Sequence, residues 1–388
     1  MRYIPYGRQD ICENDIDVVV QTLRSDFLTQ GPAVPLFEKS LVNYCKSKFA
    51  VVVNSATSAL HLACRALDIG EGDIVWTTPM SFVASANCAR YCGALIDFVD
   101  IDPRTYNLCP KKLLLKLQKA EKDGSLPKAV IPVHFAGQSC EMEEIHFLSK
   151  KYGFRIIEDA SHAIGGGYKK ERIGNCKYSD ITVFSFHPVK IITTGEGGAA
   201  LTNNRDLAQK MALLRSHGIT RNQDEMEGKL DAPWYYQQVD LGYNYRMTDI
   251  QAALGISQMK RLNDYVSSRN ALAKRYEKQL KDFPVETSWQ HPDCYSAMHL
   301  YVIRLVEGRT QSCRREVFEY MRNNKIGVNV HYIPIHLQPY YRRLGFSPGQ
   351  FPNAEQYYSE AITLPLYPTL HDNELERVVE TLSGALSL

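Results

Sequence analysis

Apolar and polar positions along this 388-residue chain follow two rhythms, and the change falls near residue 245. Before it, short β-branched runs recur: AVVV from Ala50, DIVW from Asp73, ALIDFV from Ala94, AVIPVHF from Ala129, FRIIE from Phe154, ITVFSF from Ile181 and AALT from Ala199. Runs of this length predict seven strands. Stretches with helical period separate the earlier ones, among them TSALHLACRAL (57–67) and MEEIHFLSKKYG (142–153). That alternation predicts an α/β fold with a mostly parallel, seven-stranded sheet covered on both faces. Beyond residue 245, MTDIQAALGISQMKRLNDYVSSRNALAKRYEKQLKDF (247–283) has helical periodicity over enough residues for one long helix or two with a break. A strand (300–305), a helix (314–324), a strand (326–332) and two more helical stretches are expected after it, a smaller α+β unit. The expected division is a large domain over 1–255 and a small C-terminal domain over 256–388.

The segments that follow the strands carry the chemistry. They read NSATS, TTPMSF, VDIDP, HFAG, EDASHA and SFHPVK in chain order. Ligands of open α/β sheets bind outside the carboxyl ends of the strands, so these polar segments are expected to gather at one site.

Composition narrows the classes. An apolar content of 44% with 23% charged residues is ordinary for a folded protein, and a net charge of +2 implies neither a nucleic-acid nor a membrane partner. The first residues lack the apolar core of a secretion signal, so the cytoplasm is the expected compartment. Ten cysteines occur without a CxxC pair and are expected as reduced thiols. Cys88 and Cys92 read as small side chains on one helix face. His331 and His336 do not have the spacing of a helical metal motif, and no metal site is expected.

Within SFHPVKIITTGEGG (185–198) the glycines suggest a dinucleotide loop, but they precede a strand, whereas that fingerprint must open a helix. Lys190 just past the sixth strand and Asp159 at the mouth of the fifth suggest something else. Neighbouring strand ends can aim an amine and a carboxylate into one pocket, which is what pyridoxal phosphate requires: a lysine for the Schiff base and an acid for the pyridine nitrogen. NSATSAL (54–60) offers small hydroxyl residues opening a helix, a ready phosphate cup. Ser185 could add a hydroxyl and Phe82 a stacking ring.

The chain closely resembles the DegT/DnrJ/EryC1/StrS family of sugar aminotransferases, of the aspartate aminotransferase fold (fold type I). The resemblance rests on DFLTQGPAVPLFE (26–38), NSATSALHLA (54–63), TTPMSFVASAN (77–87), EDASHAIGG (158–166), SFHPVKIITTGEGGA (185–199), RSHGIT (215–220), GYNYRMTDIQAALG (242–255) and VHYIPIHLQPYY (330–341). It implies that Lys190 carries pyridoxal phosphate, Asp159 pairs with the ring nitrogen, His162 lies beside the phenolic oxygen and Phe82 covers the ring. Ala56, Thr57 and Ser185 would hold the phosphate, and Asn244 would reach the phosphate bound by a neighbouring subunit, which implies a homodimer with shared sites. Tyr6, Thr29 and Gln30 from the N-terminal segment, His331 and Tyr332 from the small domain, and Arg221 are the residues implied for the sugar nucleotide. Within the family the blocks look most like the C-4 aminotransferases of pseudaminic acid synthesis, which implies a UDP-linked 4-keto sugar as acceptor and L-glutamate as donor. A relative acting on a dTDP- or GDP-sugar, or at C-3, would keep the same core. A non-catalytic sensor of the same fold would have no need of the matched Lys190 and Asp159.

Overall fold

The structure is a computed structural model and describes residues 2–228, 232–306, 308 and 312–386. Seven strands make the large sheet: β1 Phe49–Val53, β2 Ile74–Thr77, β3 Leu95–Phe98, β4 Ala129–Ile131, β5 Arg155–Asp159, β6 Ile181–Ser185 and β7 Gly198–Thr202. Their spatial order is β1-β7-β6-β5-β4-β2-β3, and only β7 runs against its neighbours. The expected mostly parallel sheet is therefore present.

Helices α1 Glu13–Leu23, α2 Ala33–Cys45, α3 Ala56–Ala66, α4 Ala84–Tyr91, α5 Pro110–Asp123, α6 Met142–Tyr152, α7 Arg205–Arg215, α8 Asp249–Met259 and α9 Leu262–Gln279 surround the sheet. Successive strand residues point to opposite faces. Thus Val51 and Val53 pack with α3 and α7, whereas Val52 packs with Phe37 of α2. A third cluster joins Trp76, Val130 and Ile156 to α5 and α6. The long helical stretch beyond 247 is two helices. At the break Arg261 leaves helical dihedrals (φ −107°, ψ 4°), and its guanidinium lies 2.6 Å from the buried carboxylate of Asp15.

The smaller sheet is antiparallel, with β8 Glu286–Thr287, β9 Tyr301–Arg304 and β10 Ala361–Leu364 in the order β8-β9-β10. Helices α10 Arg314–Asn323, α11 Pro339–Arg342, α12 Pro352–Glu360 and α13 Asp372–Ala385 accompany it. The first half of α9 (Leu262, Tyr265, Val266) belongs to the core of the large sheet, and its second half (Leu272, Ala273, Tyr276) to that of the small one.

One expected strand is absent. Residues 326–332 form only isolated bridges, Ile326 to Ile4 and Asn329 to Thr363. The Val330 N–H is taken by its neighbour's side chain, Asn329 Oδ1, at 2.8 Å. The apolar alternation of IGVNVHY is real, with Ile326 and Val328 fully buried, but the segment turns from β10 towards the cavity described below.

Candidate active site

A cavity of about 930 Å³ opens at the carboxyl ends of β1, β5 and β6 and is closed on its far side by residues 329–332. Three strand ends provide its floor. After β1, Ser55 caps α3 by accepting from Ser58 N–H at 3.1 Å, while Ser58 Oγ donates to Asn54 Oδ1 at 2.6 Å. Ala56 and Thr57, which open α3 and line the cavity, carry N–H groups that a helix leaves without intrahelical partners. Opposite them, Gly198 of β7 lies so close that a Cβ there would stand 2.5 Å from Ala56 N. Of the three glycines in GEGG, only Gly195 has positive φ (80°). Gly198 is there for closeness, Gly195 for its turn.

Asp159 ends β5 and is buried. Its Oδ2 accepts from Ser85 Oγ at 2.5 Å, and its Oδ1 from Ser161 Oγ at 2.6 Å and Ser161 N–H at 3.1 Å. A buried carboxylate with both oxygens partnered is held in one orientation, and Oδ2, with a single donor, keeps a further acceptor site. Lys190 follows β6 in a tight turn, its N–H donating to His187 O at 2.9 Å. Burial lowers the Lys190 amine to about 8, and the nearby charge of Asp159 opposes that shift. Ser185, the last residue of β6, lines the same floor, and the Phe82 ring, 59% exposed, stands over it.

The far wall is built from tyrosines and histidines. His162 Nδ1 accepts from Ala136 N–H at 3.3 Å and its Nε2 lies 3.1 Å from Tyr332 Oη. Burial, with the nearby Lys190 and His331, pushes its pKa well below the usual range, so the ring is neutral and its proton sits on Nε2. His331 is likewise lowered to about 3, first by burial and then by Lys190. Tyr6 packs its ring 5.2 Å from that of His331.

The residues expected from sequence thus separate into two groups. Ala56, Thr57, Phe82, Asp159, His162, Ser185, Lys190, Tyr6, His331 and Tyr332 meet in this cavity. Thr29, Gln30, Arg221 and Asn244 are exposed and do not line it, although Asn244 O accepts from the Nδ2 of the lining residue Asn54 at 3.5 Å. Ser85 and Asn329 were not foreseen. Ser85 lies in the first turn of α4 and Ser81 in the bend before it, and their hydroxyls are 2.6 Å apart. Among the described residues there is no group of three or more His, Cys, Asp or Glu arranged to hold a metal ion.

The N-terminus of α3, where Ala56 and Thr57 line the cavity with Ser185, suits a phosphate, and an aldehyde-bearing pyridine ring fits between Lys190 and the buried Asp159. Comparison with known proteins agrees. The profile of the DegT/DnrJ/EryC1/StrS aminotransferase family matches residues 9–383. The chain is 39% identical over 386 residues to the spore coat polysaccharide biosynthesis protein SpsC of Bacillus subtilis, covering 98% of this chain and 96% of that one. It is also 39% identical over 384 residues to the UDP-4-amino-4,6-dideoxy-N-acetyl-beta-L-altrosamine transaminase of Campylobacter jejuni, covering 99% and 97%. Among solved structures it superposes on Helicobacter pylori PseC, an aminotransferase of pseudaminic acid biosynthesis, with a TM-score of 0.90 and 32% identity over the whole of both chains. The sugar aminotransferase Spr1654 of Streptococcus pneumoniae, solved with pyridoxal phosphate and in its amine form, superposes with a TM-score of 0.88 and 30% identity, covering all of this chain and at least 98% of the other. With the lysine, the acid and the phosphate cradle on strand ends of a fold type I sheet, this chain belongs to the DegT/DnrJ/EryC1/StrS family of pyridoxal phosphate-dependent sugar aminotransferases.

Proposed function

We propose that the chain moves the amino group of L-glutamate to C-4 of a UDP-linked 4-keto-6-deoxy-N-acetylhexosamine, giving UDP-4-amino-4,6-dideoxy-N-acetyl-β-L-altrosamine for pseudaminic acid synthesis. The observation that carries this reading is the near end-to-end 39% identity to a transaminase of that name, together with the Lys190 and Asp159 pair in one cavity. When bound, pyridoxal phosphate supplies an aldehyde for amine exchange and a ring that draws electrons from the carbon bearing nitrogen.

The protein's own groups do the rest. The Ala56 and Thr57 N–H groups and the Ser185 hydroxyl would hold the phosphate at the positive end of α3. Asp159, kept in place by Ser85 and Ser161, would hold a proton on the ring nitrogen. Lys190 Nζ has a substantial free-base fraction near neutral pH, so it can exchange with the donor amine and then carry a proton to and from the reacting carbon. Phe82 and His162, which line the cavity, would pack against the cofactor ring and shield it from water.

The reading includes a homodimer, in which Asn244, Thr29, Gln30 and Arg221 complete the neighbouring subunit's site. Exposed Phe27 and Leu28 precede Thr29, exposed Leu241 precedes Asn244, and exposed Trp234 lies between Arg221 and Asn244 in the chain; such a contact would cover them. No helix of the described residues is long and apolar enough to cross a membrane, in keeping with a cytoplasmic enzyme using soluble substrates.

The test is incubation of the protein with L-glutamate and a panel of UDP-, dTDP- and GDP-linked 4-keto and 3-keto sugars, with products identified by mass and NMR. Amination of the UDP-linked 4-keto sugar at C-4 is expected. The equal identity to SpsC favours a second reading, another nucleotide sugar at the same centre, and turnover confined to a dTDP- or GDP-sugar would establish it. For the dimer, Lys190→Ala and Asn244→Ala proteins, each impaired alone, should regain activity when co-refolded; no recovery would refute shared sites.

A further inference from the structure

Among the described residues the cavity is lined by one lysine and no arginine. Lys190 is committed to the cofactor, and the arginine that a neighbouring copy would bring, Arg221, is assigned to the nucleotide sugar, so within one copy a dicarboxylate donor has to be held by other groups. The far wall offers two phenols in contact with one imidazole: the Tyr6 ring lies 5.2 Å from His331, and the Tyr332 ring 4.9 Å from it. Which way these phenols point their protons follows from the groups behind them.

Asn329 is pinned through its backbone, which bonds Thr363 in both directions, N–H to O at 3.2 Å and O from N–H at 2.7 Å. Its side-chain oxygen accepts from Val330 N–H at 2.8 Å, so its amide nitrogen must face the other way. That nitrogen sits 3.3 Å from His331 Nε2. His331 is therefore an acceptor at Nε2 and places its proton on Nδ1, 2.9 Å from Thr363 Oγ1. The same amide faces the Tyr6 phenol and opposes the effect of burial on it, as a donor would, and an Oη approached by a donor turns its own proton towards the cavity. Tyr332 Oη accepts from His162 Nε2–H, leaving its own proton free in the same way. Burial raises the pKa of both phenols, so both stay donors throughout the neutral range.

We propose that Tyr6 and Tyr332 together grip a carboxylate of the amino donor, a pair of neutral O–H donors in place of an arginine, with Asn329 as the positioning residue that aims Tyr6. This rests on the aminotransferase reading above. A carboxylate accepting two O–H bonds is held by short, charge-assisted contacts, and such a pair also accepts the carbonyl oxygen of a keto sugar without leaving a buried guanidinium uncompensated when that neutral substrate enters. One wall can thus serve an anionic donor and an uncharged acceptor group in turn.

The test uses the holoenzyme and glutarate, a five-carbon dicarboxylate without an amine. Its Kd is read from the change in the cofactor's visible absorption and, independently, by calorimetry. Tyr6→Phe and Tyr332→Phe each keep the ring and should weaken glutarate about tenfold or more. Asn329→Leu should weaken it by less, and the Asn329→Leu/Tyr6→Phe double variant should match Tyr6→Phe alone, whereas a general packing role would add. Retained visible absorption in every variant shows that the cofactor site is intact. Wild-type protein that binds the cofactor and loses its visible absorption on addition of L-glutamate establishes the aminotransferase reading by itself. If that holds while both phenylalanine variants bind glutarate as tightly as wild type, the phenol grip is overturned. A tyrosine variant that fails to load cofactor leaves the decision to the other tyrosine and to Asn329→Leu.

Discussion

The free-base fraction of Lys190 can be measured through the pH dependence of cofactor capture. An ordinary lysine, with a pKa near 10.5, is only about 0.1% free base at about pH 7.5, whereas an amine at about 8 is roughly one-quarter free base. Cofactor-free protein should therefore capture pyridoxal phosphate through a far more reactive amine than a model alkylamine. Dividing the protein's rate by that of the model amine removes the cofactor's own ionisation. The ratio should be about 200-fold near pH 7.5 and fall to about 30-fold near pH 9, because the protein's amine is then nearly all free base while the model amine is still gaining. Stopped-flow absorbance over about pH 6 to 10 gives both rates. Asp159→Asn removes the charge that holds the Lys190 pKa up, so the midpoint should move below about 8. A protein rate that keeps climbing in parallel with the model amine through pH 10 would refute the claim that burial tunes Lys190. The shift also carries a sign for stability. Unfolded Lys190 keeps its proton up to about 10.5 while the folded group loses it at about 8, so the unfolded state binds more protons between these values. Lys190 therefore makes the cofactor-free protein more stable as pH rises through that window.

Three further outcomes follow from the geometry. Gly198→Ala forces β7 off the α3 N-terminus and should weaken cofactor binding by about tenfold or more, whereas Gly195→Ala, strained but with open space around it, should leave cofactor affinity near wild type at a cost of about 1 kcal/mol in denaturant unfolding. Asp159→Asn should still load cofactor, yet lose about 100-fold or more in the single-turnover reaction with L-glutamate, since a neutral amide cannot hold the ring proton. Arg215→Met removes a guanidinium that lies 2.6 Å from Glu38 and donates to Val52 O at 2.7 Å; urea titration should show a loss of about 2 kcal/mol with cofactor absorption retained.

The sheet and the cofactor end of the site were legible because their signals are local. Each strand announces itself by a β-branched run, and NSATS, EDASHA and SFHPVK stand directly after their strands. The far wall was less legible. IGVNVHY has strand alternation, but the chain leaves β10 after a single bridge, and nothing in one sequence says where pairing stops. Ser85 is part of the site through helical phase, and its partner Asp159 is 74 residues away. Helices α1 and α5 went unread for different reasons: α1 buries Asp15 and exposes Ile16 and Leu23, contrary to a one-sided apolar pattern, whereas α5 is charged over most of its surface. Thr29, Gln30 and Asn244 are placed by their sequence blocks and Arg221 by standing next to one, and none of the four lines the cavity of its own copy.

The reversed strand β7 bears on the order of assembly. Ser185 pairs with Gly198 and Thr182 with Leu201, so β6 and β7 form a hairpin that closes the Lys190 segment using neighbours in sequence. Contacts of such low sequence separation form at small loop-closure cost, whereas Asp159 must find β6 in parallel and β1 must find β7 across more than 140 residues. The lysine's strap is then an early-forming nucleus on which the acid and the phosphate cradle dock later. Mutations in the hairpin should slow refolding, and mutations at the β1 to β7 seam should chiefly hasten unfolding.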